Sequence, residues 1–324
     1  MSIKIGVIGY GNLGKAVERN INLNKDMELV GIFTRRKVES IKTNSDTKVV
    51  SIDEIENWKD KIDILILCGG SATDLPEQSP KYAEMFNIID SFDTHIKIPE
   101  HFINVDKAAK KGKKVALISC GWDPGLFSLN RFLAESILPV GKTETFWGKG
   151  VSQGHSEALR KIKGIKDAIQ YTIPNKEVIE KIKNGEKITL TERDKHERNC
   201  FVVLEEGANK KEIEEKIKNM PYYFKEYNTQ VKFISYKELK EKHSKMPHGG
   251  KVIRVGNTGE NKQIIEYTLD LQSNPEFTSC VLLSFARAVY RLFKKGETGA
   301  KTILDIPPVL LATKEYNKLL QELL

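Results

Sequence analysis

The chain has 324 residues, of which 40% are hydrophobic and 30% charged. That length suggests two domains with a core in each, and the composition argues against long disorder. The net charge of +8, from 52 basic and 44 acidic residues, is spread along the whole chain. The cluster Lys107-Ala108-Ala109-Lys110-Lys111-Gly112-Lys113-Lys114 reads as the solvated face and end of a helix. It is not read as a nucleic-acid patch, because no aromatics interleave with the bases. A mild positive field favours anionic substrates and a polyanionic cofactor.

The first segment, Ile3 to Ile8, is an apolar run of strand type. It leads into Gly9-Tyr10-Gly11-Asn12-Leu13-Gly14 and a helix-like stretch, Asn12 to Leu23. Strand, glycine turn and helix in that order form the context in which G-x-G-x-x-G binds a dinucleotide. The first glycine allows the turn, the second admits the pyrophosphate, and the third lets helix pack on strand. The helix N-terminus presents unpaired N–H groups and a positive dipole end to phosphate. The next strand, Glu28 to Phe33, ends in Thr34-Arg35-Arg36 rather than in an acid. A hydroxyl and two guanidiniums suit a ribose 2′-phosphate, which a carboxylate would repel. The expected cofactor is therefore NADP(H).

Strands are then expected at Ile62 to Leu67, Asn87 to Asp90 and Lys114 to Ile118, with helices at Pro80 to Phe86 and Pro99 to Lys111. Apolar strands alternating with amphipathic helices imply an α/β fold, a Rossmann-type doubly wound parallel sheet. Ligands bind such sheets beyond the carboxyl ends of the strands. The cofactor candidates there are Cys68, Gly69, Gly70, Ser71, Ala72 and Thr73, then Ser91, Phe92 and Asp93, then Cys120, Gly121, Trp122, Asp123 and Pro124. Asp93 and Asp123 carry charge at the ligand edge, although Asp123 before Pro124 also suits a helix cap.

Beyond Pro124 helices (Gly125 to Ile137, Glu177 to Lys183, Lys210 to Met220) mix with strands (Phe201 to Leu204, Val231 to Ile234). Val252 to Val255 and Gln263 to Asp270 flank a turn-rich segment and suggest a hairpin. An α+β second domain follows from this order. A long helix, Glu276 to Lys294, and a terminal one, Thr313 to Leu324, close the chain. The expected domains are 1–123 for the dinucleotide, 124–300 for substrate and dimerisation, and 301–324 returning to the nucleotide domain.

Cys68, Cys120, Cys200 and Cys280 are widely spaced without C-x-x-C, so reduced thiols in the cytoplasm are the simplest reading. The chain starts almost at once with a strand, leaving no room for a signal peptide, and no apolar run reaches membrane-spanning length. The six histidines lack ligand spacing and no metal is expected.

The motifs Gly9 to Gly14, Phe33-Thr34-Arg35-Arg36, Gly70-Ser71-Ala72-Thr73-Asp74, Asp93-Thr94-His95 and Gly121-Trp122-Asp123-Pro124-Gly125 resemble the meso-diaminopimelate dehydrogenase family. Phe146-Trp147-Gly148, Ser152-Gln153-Gly154-His155-Ser156, Gln170-Tyr171-Thr172 and Met246-Pro247-His248-Gly249-Gly250 carry the same resemblance through the second domain. It implies a homodimer that oxidises the D-centre of meso-2,6-diaminopimelate with NADP to L-2-amino-6-oxopimelate and ammonia, serving lysine and peptidoglycan precursor supply. By the resemblance, Asp93 and Asp123 hold the reacting amino group. The amides around Gln153 and Gly154 hold the adjacent carboxylate. Thr172, Arg198 and His248 grip the distal carboxylate, and Phe146, Trp147 and Asn274 line the pocket. Asp93 or Asp123 would be the base, with His155 as a relay candidate. Two rivals are kept. One is an NADP-dependent semialdehyde dehydrogenase using a Cys120 thiolate; the other is a nicotinamide sensor without catalysis.

Overall fold

The structure, a computed structural model, describes residues 2–186 and 188–324. It divides into two compact units, one of residues up to Leu129 with Pro275–Leu324, the other of Asn130–Asn274. The limits expected at 123 and 300 therefore both move. Leu126 and Leu129 pack against the first unit's core, and residues 275–300 belong to that unit as well.

The first unit is a seven-stranded sheet in the order Gly299–Lys301, Val115–Leu117, Asn87–Asp90, Ile64–Leu67, Ile3–Ile8, Met27–Thr34, Val49–Ser51. Every neighbouring pair is parallel. Order reverses at Ile3–Ile8, which makes this a doubly wound α/β sheet with its switch point beside the glycine turn. Such strands are covered on both faces, which is why Ile64–Leu67 reads as an unbroken apolar run and is wholly buried. On one face lie Asn12–Ile21 and the long helix Asn274–Lys294, whose Val281, Leu282, Phe285, Ala286 and Val289 meet Ile5, Val7, Ile66 and Leu117. On the other, Leu75–Ala83 and Ile98–Gly112 supply Leu75, Tyr82, Val105 and Ala109 against Leu65, Leu67 and Ile88.

The long helix is apolar on a broad stripe, and the sheet face it covers would otherwise be wet. That is why residues 275–300 return to the first unit. The strand Gly299–Lys301 has no strand signal of its own, and its pairing with Val115–Leu117 decides its conformation. Ile303, Ile306 and Leu310 join the same core, while the terminal helix Tyr316–Leu323 buries none of its residues.

One charged side chain pins the long helix. Arg287 is almost fully buried and donates to both Asp26 oxygens (2.5 and 2.8 Å), to Asn24 Oδ1 (2.9 Å) and to the Leu311 carbonyl (3.1 Å). The guanidinium's hydrogen bonds, opposed in part by burial, hold the Asp26 carboxyl below its ordinary range.

The second unit contains two sheets. One has the order Asn228–Phe233, His196–Leu204, Ile165–Pro174, Gly150–Val151, and the other Asn261–Leu271, His248–Thr258, Gly141–Trp147. The hairpin runs in antiparallel register from His248↔Leu271 to Thr258↔Asn261. Asn228–Phe233 lies parallel to His196–Leu204, and all other pairs are antiparallel, as an α+β unit requires. Helices Gln153–Arg160 and Lys210–Lys218 contribute Leu159, Ile213 and Ile217 to a core with Ile165, Cys200, Val202 and Phe224.

Replacing Arg287 with Met removes four hydrogen bonds and strands part of Asp26, so stability should fall by about 3 kcal/mol. Urea unfolding of wild type and R287M measures this; an unchanged midpoint would show the clamp to be neutral.

Candidate active site

The carboxyl ends of the parallel strands gather the first set of expected residues. Gly9 turns with φ +91°, and a Cβ on Gly14 would lie 2.1 Å from the Gly9 carbonyl oxygen, so only glycine lets the helix approach the turn. A Cβ on Gly11 would meet nothing within 4 Å, so the turn is open on its outer side and forms a cradle at the helix N-terminus. Asn12 and Leu13 begin the helix whose first amides border that cradle.

The end of the second strand is less simple than its sequence. Thr34 is buried, and its Oγ1 accepts the Arg36 amide at 3.1 Å, so this hydroxyl shapes the turn that carries the two arginines. Arg36 donates to the Tyr10 carbonyl at 2.7 Å, while Arg35 pairs with Asp74 at 2.8 Å. Both arginines remain exposed. Asp74 Oδ2 also accepts the Gly70 amide at 2.8 Å, tying the loop Cys68 to Thr73 to the arginine side of the cradle.

Tyr10 and Glu18, neither marked as functional by sequence, carry a second network. Glu18 accepts the Tyr10 hydroxyl, the Asn44 and Ser45 amides (each 2.9 Å) and the Ser45 hydroxyl (2.6 Å). Burial alone would raise the Glu18 carboxyl, but hydrogen bonds from Ser45, Tyr10 and Asn44 hold it below its ordinary range. Burial, then Glu18, pushes the Tyr10 phenol up to about 12. A polar side chain on the inner face of a helix opposite a Ser/Asn loop was the signal available.

A third unmarked residue, Asp90, organises the loops holding the two candidate carboxylates. It is fully buried, and its Oδ1 accepts the Phe92 amide (3.0 Å) and the Ser119 amide (2.9 Å). Its Oδ2 meets the Ser79 hydroxyl (2.6 Å) and His101 Nε2 (2.9 Å). Its backbone carbonyl accepts the Cys120 amide at 2.9 Å. Phe92 stacks on His101 at 4.1 Å, so this ring packs inward rather than against cofactor. Ser91 and Asp93 flank it, and the Asp93 amide donates to Ser71 Oγ at 2.8 Å. Gly121 and Trp122 are buried, and Asp123 and Pro124 are half-buried.

The Cys120 thiolate finds no support. The side chain is wholly buried, and burial with nearby Asp90 pushes its thiol well above the ordinary value. Cys68 is likewise pushed up to about 12 by burial. Both residues offer backbone, not a nucleophile, to the ligand edge.

In the second unit, register brings the other candidates together. Thr172 faces Arg198 across one strand pair and Gly150 across the other. Arg198 is buried, donates from Nη1 to Thr172 Oγ1 at 2.5 Å, and lies with its guanidinium carbon 3.9 Å from the Tyr227 ring centre. The Gly148 amide donates to Gly249, and the Val151 amide to Pro247, at 2.8 and 2.7 Å. A Cβ at Gly150 would come 2.5 Å from His248 Cα, so glycine is what lets these segments touch. His248 Nδ1 takes the Gly249 amide at 2.8 Å. Gln153 donates to Met246 Sδ at 3.4 Å, and the Asn274 amide to the Met246 carbonyl at 3.0 Å. Gln153 and Gly154 open the helix that Ser152 caps.

Phe146 does not belong with them. It is fully buried with Ile179, Ile182 and Ile253, because successive strand residues face opposite sides and Trp147 takes the other. His196, missed by sequence, supports that Trp: its Nε2 accepts the Trp147 amide at 2.9 Å and its ring stacks at 5.4 Å. Burial, followed by Arg198 and Lys195, lowers the His196 imidazole to about 3. His155 is lowered to about 4 by burial and Arg198; it sits between Ser152 Oγ (2.7 Å) and the edges of Tyr223 and Phe224. A neutral ring in an aromatic box is a structural histidine, which argues against a proton relay.

A family model for the diaminopimelic acid dehydrogenase C-terminal domain matches residues 121–273. The meso-diaminopimelate D-dehydrogenase of Ureibacillus thermosphaericus is 58% identical over 323 residues, 99% of each chain. The chain belongs to the meso-diaminopimelate dehydrogenase family. A crystal structure of a multiply substituted Clostridium tetani meso-diaminopimelate dehydrogenase with diaminopimelate is 54% identical, with a TM-score of 0.95 and 100% of both chains covered. An engineered D-amino acid dehydrogenase bound to NADP+ is 41% identical, with a TM-score of 0.88 and 100% of both chains covered. As a member of this family the protein is an amino acid dehydrogenase acting on a CH–NH2 group and using a nicotinamide cofactor. Among the described residues no group of side chains is suited to a metal ion, and no helix is long and apolar enough to cross a membrane.

The buried neutral histidines give a pH signature. Unfolded imidazoles titrate near 6.5 while His196 and His155 in the fold titrate near 3 and 4. Their contribution is complete above pH 6.5 and is lost as pH falls below it, because the unfolded chain binds protons that the fold refuses. Between pH 6.5 and 5, H196N should reduce the pH dependence of unfolding free energy by about one proton. An identical slope in wild type and variant would contradict the assigned neutrality of His196.

Proposed function

We propose that the protein catalyses the family reaction with NADP(H) and grips its substrate at both ends with groups of opposite charge. The reaction is the oxidative deamination of the D-centre of meso-2,6-diaminopimelate to L-2-amino-6-oxopimelate and ammonia, and its reverse. The observation that carries the residue assignment is the register pair Arg198–Thr172, a buried cation on a hydroxyl. Such a guanidinium suits an anion, and a carboxylate accepts its fork in bidentate fashion. The related structures in which diaminopimelate and NADP+ are bound support the same reading.

The glycine turn is built for a pyrophosphate, and Gly9, Gly11 and Gly14 with the amides of Asn12 and Leu13 would hold it. Arg35 and Arg36 would take the 2′-phosphate, Arg35 exchanging Asp74 for it. Cys68 to Thr73 and Ser91 to Asp93 would border the remainder by backbone and small side chains. The bound nicotinamide supplies the hydride acceptor, and in reverse the donor.

The chain's own groups supply orientation and proton traffic. Asp93 and Asp123, at the ends of neighbouring strands, hold the reacting amine. A carboxylate favours the ammonium form, yet hydride departs only from the neutral amine, so one of the two must accept a proton first. Once that proton has passed to solvent, that carboxylate, or the one that stayed ionised, activates the water that hydrolyses the iminium. The first-turn amides of Gln153 and Gly154 bind the carboxylate beside the reacting carbon. Arg198, Thr172 and His248 bind the distal one, with Trp147 and Asn274 alongside. Fixing both ends presents one α-hydrogen and so sets stereochemistry. Homodimerisation is supported by the exposed apolar residues Phe132, Leu133, Ile137 and Val140, and a reducing cytoplasm by four free cysteines.

Absorbance at the NADPH band tests the proposal, with meso-, LL- and DD-diaminopimelate each offered NADP and NAD. Rapid NADP reduction by the meso isomer and little by LL is expected; equal rates with meso and LL would refute attack at the D-centre. Neutralising Arg35 and Arg36 together should raise the NADP KM roughly 10- to 100-fold and the NAD KM far less. Equal shifts for both cofactors would overturn their assignment to the phosphate.

A further inference from the structure

The segment Pro221 to Tyr227 reads Pro-Tyr-Tyr-Phe-Lys-Glu-Tyr and forms a turn, with Phe224 and Lys225 amides on the Met220 carbonyl (each 3.1 Å) and the Tyr227 amide on Phe224 (3.0 Å). Phe224 anchors it from beneath, fully buried against the second unit's core. The rings of this segment also meet two polar side chains. Tyr223 and Phe224 stand edge-on to His155, and Tyr227 lies under Arg198 with only 3.9 Å between guanidinium carbon and ring centre.

That distance is a face contact, and it constrains more than energy. All five N–H donors of a guanidinium lie in its plane, so covering a face costs no donor and fixes the direction in which every donor points. Thr172 Oγ1 receives one of those in-plane donors at 2.5 Å, which sets the rotation within the plane. A guanidinium held this close over a ring packs best with its plane along the ring face, so the ring limits its tilt and the hydroxyl limits its rotation. A Lys at position 198 would have neither constraint, and an Arg without the ring would lose the first.

We propose that Tyr227 is a positioning residue that orients Arg198 and thereby sets the preference for substrates carrying a remote carboxylate. This rests on the reading that Arg198 grips that carboxylate. Nothing in the Pro221–Tyr227 sequence marks it, because the ring and the cation are 29 residues apart in the chain and meet only through the turn before the parallel strand Asn228–Phe233.

Steady-state kinetics of the whole enzyme with NADP test this on meso-diaminopimelate and on D-lysine, the same chain without the distal carboxylate. Y227L should raise the KM for meso-diaminopimelate roughly 5- to 30-fold, with kcat and the NADP KM within about twofold of wild type. Its kcat/KM for D-lysine should be unchanged, and Y227F, which keeps the ring face, should restore the wild-type KM. In an R198M background, Y227L should add nothing further. Equal losses on both substrates, a Y227F enzyme as impaired as Y227L, or additive effects with R198M would overturn the role of Tyr227. An R198M enzyme with an unaltered KM for meso-diaminopimelate would instead overturn the assignment of Arg198 itself.

Discussion

The ligand edge of the first unit depends on one buried carboxylate. Asp90 ends its strand with no exposed surface, and bringing a carboxylate out of water costs several kcal/mol unless its lone pairs are satisfied. Two amides, one hydroxyl and one imidazole converge on it. The donors come from two helices and two loops. Satisfying Asp90 therefore fixes where Ser91 to Asp93 and Ser119 to Cys120 leave the sheet. The exposed carboxylate of Asp93 is placed by an interior one, and Phe92 stacked on His101 closes the arrangement.

The second unit solves a related problem with the opposite sign. Arg198 is a buried cation, and the histidines nearest to it are driven neutral by burial and by that same charge. Their neutrality is useful structurally. His196 can accept the Trp147 amide only with an unprotonated Nε2, and Trp147 in turn stands on the strand that zips to His248–Thr258. The buried positive charge of Arg198 is thus set among imidazoles that hydrogen-bond without competing for a carboxylate. The ring of Tyr227 and the hydroxyl of Thr172 stabilise that cation while leaving it an anion binder.

Much of this was legible in the chain, and for physical reasons. The parallel sheet, the glycine turn and the arginines after Met27–Thr34 come from local patterns: apolar runs of strand length, glycines at fixed offsets, a missing acid. The resemblance supplied the order of the motifs in the second unit, where Thr172, Arg198, Gln153 and His248 belong to one neighbourhood. Less legible was which side of a strand each residue takes. Phe146 reads like Trp147 in sequence, yet alternation sends it into the core with Ile179 and Ile253. Thr34 reads as a phosphate ligand from its position, and only the fold shows that its Oγ1 also accepts the Arg36 amide and shapes the turn.

By itself, then, the sequence determined the fold class and the dinucleotide turn, which rest on periodicity and on residue types within a few positions of each other, and the resemblance of its motifs implied the kind of chemistry. The tertiary structure decided what depends on contacts between distant segments. It returned residues 275–300 to the first unit, because a broad apolar helix needs a sheet face to cover. It revealed Asp90, Glu18, His196 and Tyr227, whose importance lies in donors, rings and charges contributed by other elements. A buried polar group has no local signature: what it does is set by what folding brings to it.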